Sequence, residues 1–385
     1  MELFGFIFSW VELSIFAVLL VTFIYQIYFY LRYMNGIVRR NKKVKKNNVT
    51  FTQAQQPVSV IIAAKNEEEN IRKFLPAILE QNYPEYEVIV INDASDDDTG
   101  IVLEELKEKY PHLRTSFVPE GTRNISSKKL AITLGVKAAK YDILLFTDAD
   151  CIPESTDWIS SMTRNFTPET EFVLGYGAYL KEKGFLNRMI TFDTLFIGSQ
   201  YLGMAYSGKP YMGVGRNLAY RKEVFFRLKG FSANLDILSG DDDLIVNKAA
   251  NKGNTKIEAC LDSITWSEPK KTFRVWYYQK TRHLSASDRY KKKSKFRLGI
   301  EPLTRGIFYL AFILLMCFGG MIPMIAGGSL FLLRFLTQLI IINRNSSYFK
   351  GRGYYLTLPL FDILLPLINL FIMISGDSKK HSHRW

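Results

Sequence analysis

The chain has 385 residues, of which 48% are hydrophobic, and it carries a formal net charge of +13. This length allows one soluble domain of about 240 residues together with several membrane segments. The three cysteines lack paired spacing, which gives no indication of a disulfide framework or a zinc site. The basic runs are not accompanied by a nucleic-acid-binding motif, so we expect no nucleic-acid partner.

The N-terminal region predicts a membrane anchor. Residues 13–31 are almost wholly apolar, and as a helix they would extend roughly 28 Å, close to the hydrocarbon thickness of a bilayer. No small-residue cleavage pattern follows, which favours an anchor over a removed signal peptide. We therefore assign residues 1–33 to a transmembrane anchor and residues 34–56 to a basic linker.

Strands and helices then alternate regularly. Apolar runs predict strands at residues 58–64, 87–91, 115–118 and 143–146. Helical patterns lie between them and include residues 71–79, 103–106 and 127–139. This spacing is typical of βαβ units, so we expect a mostly parallel sheet with right-handed crossovers.

The chain after residue 150 is less regular. A strand is predicted near residues 172–176, one or two aromatic-rich helices over residues 185–206, and a short strand at residues 256–261. A regular first half and an irregular second half suggest one domain over residues 57–290, with a single site between the two halves.

The C-terminal region predicts further membrane segments. Residues 291–306 are basic and precede residues 307–342, an apolar stretch long enough for two spans that turn near Gly327 and Gly328. Residues 343–376 hold a loop and a third apolar segment. Its prolines and polar residues leave two alternatives open, a transmembrane helix or a re-entrant one.

Basic residues flank the soluble segment on both sides, and the positive-inside rule therefore places that segment in the cytoplasm. The same basic runs attract anionic lipid headgroups. The polar tail, residues 377–385, is basic and remains on the cytoplasmic side if the segment before it is re-entrant, the interpretation that we favour. The protein is thus expected to be a multi-pass protein of the cell (inner) membrane.

Two carboxylates separated by one residue, Asp148 and Asp150, follow the apolar run at residues 143–146. In open α/β sheets, ligands bind at the carboxyl ends of the strands. Side chains one residue apart on a strand point the same way, so both carboxylates can face one divalent cation that bridges the phosphates of a nucleotide. Turn chemistry in a loop is the alternative explanation for the pair by itself.

Further acidic residues stand at predicted strand ends or in loops, namely Glu67, Asp93 and residues 241–243. Taken singly, each has a structural explanation, such as complementing a helix dipole or capping a turn. Taken together, they suggest one site in which each acidic residue has a separate role. Asp93 would hydrogen-bond a base edge or ribose, Asp148 and Asp150 would hold a metal on a diphosphate, and one aspartate of the second half would act as a base.

The segment from about Val58 to Ser287 resembles the family 2 glycosyltransferases of bacterial type. The resemblance is carried by motifs at residues 58–68 (VSVIIAAKNEE), 90–97 with Thr99 (VINDASDD), 128–131 (KKLA), 147–151 (TDADC), 215–220 (GRNLAY), 240–244 (GDDDL) and 279–282 (QKTR). It implies the GT-A fold, a Rossmann-like and mostly parallel sheet flanked by helices, here with N- and C-terminal transmembrane helices.

The resemblance also implies a nucleotide-sugar pocket. Ala63, Glu67 and Asp93 would line it, and either Lys128 or Lys129 would lie near the pocket or its phosphates. Asp148 would also belong to this pocket. UDP is the favoured nucleotide, and GDP is the alternative.

A catalytic and metal-binding set is implied as well. Asp148 would approach the ribose and the diphosphate, and Asp150 would ligate Mg²⁺ or Mn²⁺. Asp242 is the favoured general base, although aligning the motif one residue earlier gives that role to Asp241. A metal and a lysine can neutralise the departing phosphate while a base deprotonates the acceptor on the opposite face of the sugar, so the reaction would be a single inverting displacement.

The residues implied on the acceptor or diphosphate side are Gly215, Arg216, Asn217, Gln279, Arg282 and His283. In the polymer-forming branch of the family, a tryptophan stands at the position of His283 and helps to seat the growing chain. With His283 at this position, the aromatic surface for the growing chain is smaller. The chain also has few predicted transmembrane spans from which to build a polysaccharide pore. We therefore expect single-sugar transfer to a lipid or lipid-linked acceptor, in cell-surface glycan or glycolipid biosynthesis.

Two alternatives to this hexosyltransferase-type enzyme remain open from the sequence. The first is a processive polysaccharide synthase. The second is a membrane scaffold that binds a nucleotide-sugar without catalysis.

Overall fold

The computed structural model describes residues 2–3, 6–7, 9–119, 127–235 and 239–375. The predicted polar tail lies outside the described residues. Within them, the strands are β1 (Glu2–Leu3), β2 (Phe6–Ile7), β3 (Val58–Ala64), β4 (Tyr86–Asn92), β5 (Leu113–Phe117), β6 (Ile143–Phe146), β7 (Cys151–Pro153), β8 (Phe172–Leu174), β9 (Gly177–Tyr179), β10 (Leu218–Arg221), β11 (Thr255–Ile257) and β12 (Thr265–Ser267).

The α-helices of the same residues are α1 (Trp10–Phe29), α2 (Gly36–Lys45), α3 (Glu68–Leu79), α4 (Thr99–Lys109), α5 (Ser127–Ala138), α6 (Trp158–Thr163), α7 (Phe185–Tyr206), α8 (Lys222–Arg227), α9 (Asp243–Ala249), α10 (Phe273–Ala286), α11 (Lys292–Phe318), α12 (Met321–Tyr348) and α13 (Leu358–Ser375). A π-helical turn, Tyr30–Met34, joins α1 to α2.

A seven-stranded sheet forms the centre of the soluble domain, in the order β11-β8-β10-β6-β3-β4-β5. Strand β10 is antiparallel to both of its neighbours, and the other strands share one direction. The predicted α/β fold with a mostly parallel sheet is confirmed. A second, three-stranded sheet has the order β7-β12-β9.

The central strands are buried on both faces, which explains their unbroken apolar runs. In β6, Leu144 and Phe146 pack with Ile61 in the core on one face of the sheet. Ile143 and Leu145 belong to the core on the other face. The side chains alternate between faces as a strand requires, and both faces are covered by helices.

Among the described residues, four helical stretches are long and apolar enough to cross a membrane: Trp10–Lys45, Lys292–Phe318, Met321–Tyr348 and Leu358–Ser375. Helices α11 and α12 are joined at Gly319 and Gly320, so the predicted turn near Gly327 and Gly328 is wrong. Gly327 instead lies inside α12 at a helix contact, where a Cβ atom would stand 2.6 Å from the Leu315 side chain.

Residues 36–45 of the predicted basic linker form helix α2, which packs on the α/β domain. Arg40 of α2 forms an ion pair with the fully buried Glu258 at 2.7 Å, and Arg164 pairs with the same carboxylate at 3.1 Å. Gly203 of α7 leaves no room for a side chain against the carbonyl oxygen of Tyr33. The π-helical turn and α2 that follow α1 are therefore in direct contact with the α/β domain.

A buried ionic network connects α11, α12 and α13. Asp362 accepts hydrogen bonds from Arg305 and Arg334, each at 3.0 Å. Gln338 donates to the same carboxylate at 2.6 Å, and Arg305 also pairs with Glu301 at 2.6 Å. Two arginines face two carboxylates, so the charges balance, as groups taken out of water require.

Candidate active site

The predicted site lies at the carboxyl edge of the central sheet. Strands β3 and β4 pair in register up to Ala64 and Asn92, and β6 ends beside β3 at Phe146. Asp93 directly follows β4, and Asp148 lies in the loop after β6. Neighbouring parallel strands thus bring residues from distant parts of the sequence to one edge, where open α/β sheets bind ligands.

A solvent-open cavity lies at this edge, with about 370 Å³ of empty space that includes open solvent. The predicted site residues in its lining are Ala63, Lys128, Asp148, Gly215, Asp241 and Asp242. The other lining residues are Ile61, Ile132, Phe146, Thr147, Leu218 and Tyr220. A largely apolar wall with a few convergent charged groups is typical of small-molecule binding sites.

Lys128, in the first turn of α5, connects acidic residues from the two halves of the domain. Its Nζ donates a hydrogen bond to Asp148 Oδ1 at 2.9 Å and lies 3.9 Å from Asp241 Oδ2. Burial by itself would lower the pKa of Lys128, but the two aspartates raise it above its ordinary value. The site therefore contains a fixed cation that can bind phosphate oxygens.

Asp148 and Asp150 are close enough to share a cation. One carboxylate oxygen of Asp148, one carboxylate oxygen of Asp150 and Sγ of Cys151 all lie within 4.8 Å of one another. Burial and then the charge of Asp148 raise the pKa of Asp150. Burial opposes the ionisation of Asp148, but the Lys128 ammonium holds the pKa of Asp148 below its ordinary value.

The chemistry of this donor set favours a hard cation. Burial raises the pKa of Cys151, which disfavours the thiolate form that binds metals, and its sulfur is within hydrogen-bond distance of Ser267 Oγ at 2.9 Å. The remaining ligands are the carboxylate oxygens of Asp148 and Asp150. Such oxygens suit Mg²⁺ and Mn²⁺, and the pair fits the predicted metal.

Two neighbouring aspartates reach the cavity from the second half of the domain. Asp242 is the N-cap of α9, and its carboxylate accepts hydrogen bonds from the backbone N–H groups of Asp243, at 2.8 Å, and Gly215. Burial and then the charge of Asp241 raise the pKa of Asp242 to about 6. A carboxylate that titrates near neutral pH is suited to proton abstraction.

Glu67 and Asp93 lie on the loops after β3 and β4, beside the cavity rather than in its lining. The backbone N–H of Glu67 donates to Thr99 Oγ1 at 2.9 Å, which ties the two loops together. Asp93 is 2% exposed, and its Oδ2 has no hydrogen-bond partner among the described residues. A buried carboxylate oxygen is costly to leave unsatisfied, so Asp93 offers an acceptor to a ligand N–H or hydroxyl.

Two of the predicted contact residues point into the fold instead of the cavity. Lys129 is 1% exposed, and its Nζ donates to the backbone carbonyl of Asn234 at 2.6 Å. Of the two adjacent lysines, Lys128 is therefore the one that faces the carboxylates. Asn217 is fully buried, and its amide nitrogen donates to the carbonyl of Tyr176 at 3.0 Å.

The predicted acceptor-side residues Arg282 and His283 follow Gln279 by three and four positions on α10, so each lies next to Gln279 on the helix surface. Gln279 Nε2 donates to Tyr179 Oη at 3.1 Å. The guanidinium of Arg216 lies over the Tyr179 ring, 4.3 Å from its centroid. His283 is exposed.

Sequence reasoning missed Tyr179 and Thr147 as candidate site residues. Tyr179 ends β9, and the pairing of that strand with β12 in the smaller sheet brings it beneath Arg216. Its short strand carried no recognisable motif. The sequence could have indicated Thr147, because it directly precedes Asp148. Its hydroxyl is buried with no partner in the described part of the chain.

The chain is similar to known glycosyltransferases. Residues 59–228 match the family model described as glycosyl transferase family 2. The chain is 27% identical over 277 residues to the probable glycosyltransferase YdaM of Bacillus subtilis (strain 168), a match that covers 69% of this chain and 64% of that protein. It is 32% identical over 101 residues to the poly-beta-1,6-N-acetyl-D-glucosamine synthase of Staphylococcus epidermidis, which covers 26% of this chain and 23% of the relative. The chain thus spans less than two thirds of the length of these curated relatives.

Among solved structures, the mannosyltransferase PcManGT from Pyrobaculum calidifontis, in complex with GDP-Man and Mn²⁺, is similar over 93% of this chain and 99% of that one. The TM-score is 0.58 and the sequence identity is 20%, which shows a shared fold.

The fold is that of the GT-A class of transferases. The chain carries a family 2 glycosyltransferase domain, joined to helices that are long and apolar enough to span a membrane. The family that the sequence motifs implied is thereby confirmed.

Proposed function

We propose that the protein is an inverting, metal-dependent glycosyltransferase that moves one sugar from a nucleotide-sugar to a lipid or lipid-linked acceptor at the membrane. The observation that carries the proposal is the convergence of Asp148, Lys128 and Asp242 on one cavity at the carboxyl edge of the sheet. Each of these groups has a separate task in such a reaction.

Asp148 and Asp150 would hold the divalent cation. When bound, such a cation neutralises negative charge that develops on the departing diphosphate. Lys128 binds the same diphosphate as a second, fixed positive charge. The GT-A neighbour solved with Mn²⁺ and a nucleotide-sugar supports this assignment.

The loops after β3 and β4 would bind the nucleoside. The unsatisfied Oδ2 of Asp93 accepts a hydrogen bond from the base or the ribose. Ala63 supplies part of the cavity wall, and its small side chain leaves room for the nucleotide. Glu67 stands beside the metal site, and burial raises its pKa.

Asp242 would act as the general base. As the acceptor hydroxyl oxygen attacks the anomeric carbon, its proton passes to Asp242, and the bond from that carbon to the diphosphate breaks with both electrons leaving on the phosphate oxygen. The configuration inverts in this single displacement. Because the Gly215 and Asp243 amides already hold the carboxylate, its orientation is set before the substrates bind.

The membrane setting favours a lipid-borne acceptor. Helix α2 attaches the domain directly to α1, and the basic runs that follow α1 and begin α11 favour a cytoplasmic location for the site. The exposed His283 on α10 offers no indole platform to a growing polymer, which favours addition of one sugar. UDP is the favoured nucleotide, and GDP is the alternative.

The test uses the full chain purified in detergent and returned to vesicles that contain polyprenyl phosphate or polyprenyl-diphosphate sugars. UDP- and GDP-sugars are supplied with Mn²⁺, and the release of nucleoside diphosphate and the labelled sugar in the lipid extract are measured. We expect one donor to give a lipid product that carries a single added sugar. We expect Asp242→Asn to bind the donor without transferring it.

Each alternative has its own outcome in this assay. The local similarity to a polysaccharide synthase makes product length informative: a ladder of long products would replace single transfer by processive synthesis. Donor binding without any transfer would indicate a non-catalytic scaffold. Full turnover by Asp242→Asn would contradict the role of the base.

A further inference from the structure

The helix that carries the proposed base is bonded to the residues that open a membrane helix. Tyr290 and Lys291 immediately precede α11. Tyr290 Oη donates a hydrogen bond to Asp243 Oδ2 at 2.5 Å. The backbone N–H of Lys291 donates to Asn247 Oδ1 at 2.9 Å. Asp243 and Asn247 are one helical turn apart, so both contacts lie on the same face of α9.

Further contacts hold the same junction. Lys291 Nζ donates to the backbone carbonyl of Lys248 at 2.9 Å. Asn247 Nδ2 donates to the carbonyl of Tyr211 at 2.7 Å, and the rings of Tyr211 and Tyr290 meet edge to face with their centroids 6.3 Å apart. The beginning of α11 is thus attached to α9 at several points.

The link from Tyr290 continues to the base itself. The side chain of Asp243 accepts the Tyr290 hydroxyl, and the backbone N–H of Asp243 donates to Asp242 Oδ1 at 2.8 Å. A shift of Asp243 would therefore move one of the two amides that orient the Asp242 carboxylate. Both ends of the link are shielded from water, because Asp243 and Tyr290 are each 7% exposed.

A carboxyl group is an expensive choice at this position. Burial and then the charge of Asp242 raise the pKa of Asp243 well above its ordinary value, and its Oδ1 has no partner among the described residues. An apolar side chain would avoid the cost of desolvating a carboxyl group. What the carboxyl group provides is the acceptor for Tyr290.

We infer that Asp243 and Tyr290 are positioning residues, through which the residues that lead into membrane helix α11 fix the orientation of the Asp242 carboxylate. The inference rests on the proposed function, since Asp242 acts as a base only in that reaction. It assigns the attachment of α11 a part in catalysis beyond anchoring.

The main test is Tyr290→Phe in the full chain in vesicles, assayed with UDP-N-acetylglucosamine and GDP-mannose in the presence of Mn²⁺. The variant keeps the ring and loses the hydrogen bond. We expect kcat to fall about tenfold or more, because a small displacement of a catalytic group is costly, while KM and Kd for the donor change by less than about twofold.

Tyr83→Phe is the matched control. Tyr83 is also 7% exposed, and its hydroxyl donates to the carbonyl of Gln56 at 2.7 Å, but it belongs to the core on the other face of the sheet. Its loss removes a comparable hydrogen bond, so a general weakening of the fold would appear in both variants. We expect kcat to stay at the wild-type value in this control.

Substitutions of Asp243 supply a rescue test. Asp243→Asn keeps an oxygen that can accept the Tyr290 hydroxyl and should retain most of kcat, whereas Asp243→Ala should lose it as Tyr290→Phe does. In the double variant Tyr290→Phe with Asp243→Ala, the losses should not add, because both changes remove one interaction. If Tyr290→Phe is too unstable to assay, the comparison of Asp243→Asn with Asp243→Ala decides the question.

The outcomes separate the two proposals. If the wild-type protein transfers sugar and Tyr290→Phe does so at the same kcat, or if Tyr83→Phe loses as much, the positioning role is overturned and the proposed function stands. If the wild-type protein transfers no sugar from any donor, the proposed function fails first and the positioning role fails with it.

Discussion

The Lys128 ammonium donates a hydrogen bond to the Asp148 carboxylate at 2.9 Å and thereby joins the start of α5 to the loop after β6. The lysine and the aspartate come from separate motifs, yet they meet at the edge of the cavity. A lysine that a carboxylate already orients can bind an incoming diphosphate without a large change of its own position. The proposed donor site depends on this relationship.

Replacing Lys128 by Met should weaken binding of UDP and its sugars about 10- to 100-fold, the range expected for loss of a charge-assisted hydrogen bond. Lys129→Met is the matched control, since the neighbouring Nζ bonds a backbone carbonyl away from the cavity. Titration calorimetry of both variants checks the expectation. Equal loss of affinity in the two variants would show that Lys128 has no special part in phosphate binding.

Replacing Asp150 by Asn should weaken donor binding in the presence of Mn²⁺ by about 100-fold, because the cation loses one of its charged oxygen ligands. Donor binding in EDTA should be nearly the same in the variant and the wild type. Asp157→Asn, at an exposed aspartate, serves as the control and should keep the Mn²⁺ response. A full Mn²⁺ response in Asp150→Asn would place the metal elsewhere.

The rate of transfer should rise with pH through about 6, since Asp242 acts as a base when it is ionised and its pKa is raised to about 6. Burial raises that pKa most, Asp241 raises it further, and Lys128 opposes the shift. Asp241→Asn removes a negative neighbour, so the midpoint of the kcat/KM profile should move to lower pH. Complete loss of transfer in Asp241→Asn would identify Asp241 as the base instead.

Replacing Asp362 by Leu should destabilise the helical bundle by about 3–5 kcal/mol, because Arg305 and Arg334 would be left buried without their shared carboxylate. The thermal midpoint of the detergent-solubilised protein measures the effect. Combining Asp362→Leu with Arg334→Met removes one of the stranded charges and should recover part of the loss. An unchanged midpoint in the single variant would mean that the network contributes little to stability.

Much of the secondary structure could be predicted because it depends on local patterns. The strand at residues 143–146 and the helix at Phe185–Tyr206 have the predicted limits, since the apolar run of one and the helical pattern of the other lie within the element itself. The turn between α11 and α12 was misplaced for the same reason. Two glycine pairs occur in that region, and helix packing decides which pair forms the turn.

The candidate site was predictable only in part. The aspartates at positions 148, 150, 241 and 242 stand in motifs, and their residue types suggest metal binding and base chemistry on their own. The choice between Lys128 and Lys129 depends on the rotation of α5 against the sheet. The internal bonding of Asn217 and the position of Tyr179 beneath Arg216 depend on strand pairing.

The sequence by itself determined an α/β domain between apolar helices and the kinds of residues that its site would use, because strand and helix periods, apolar length and motif chemistry are properties of short stretches of chain. The tertiary structure alone decided which of those residues face one another across the cavity, and that the base-bearing helix α9 is bonded to the start of α11. Such contacts join positions far apart in the chain, and they form only when the sheet, its covering helices and the long apolar helices pack together.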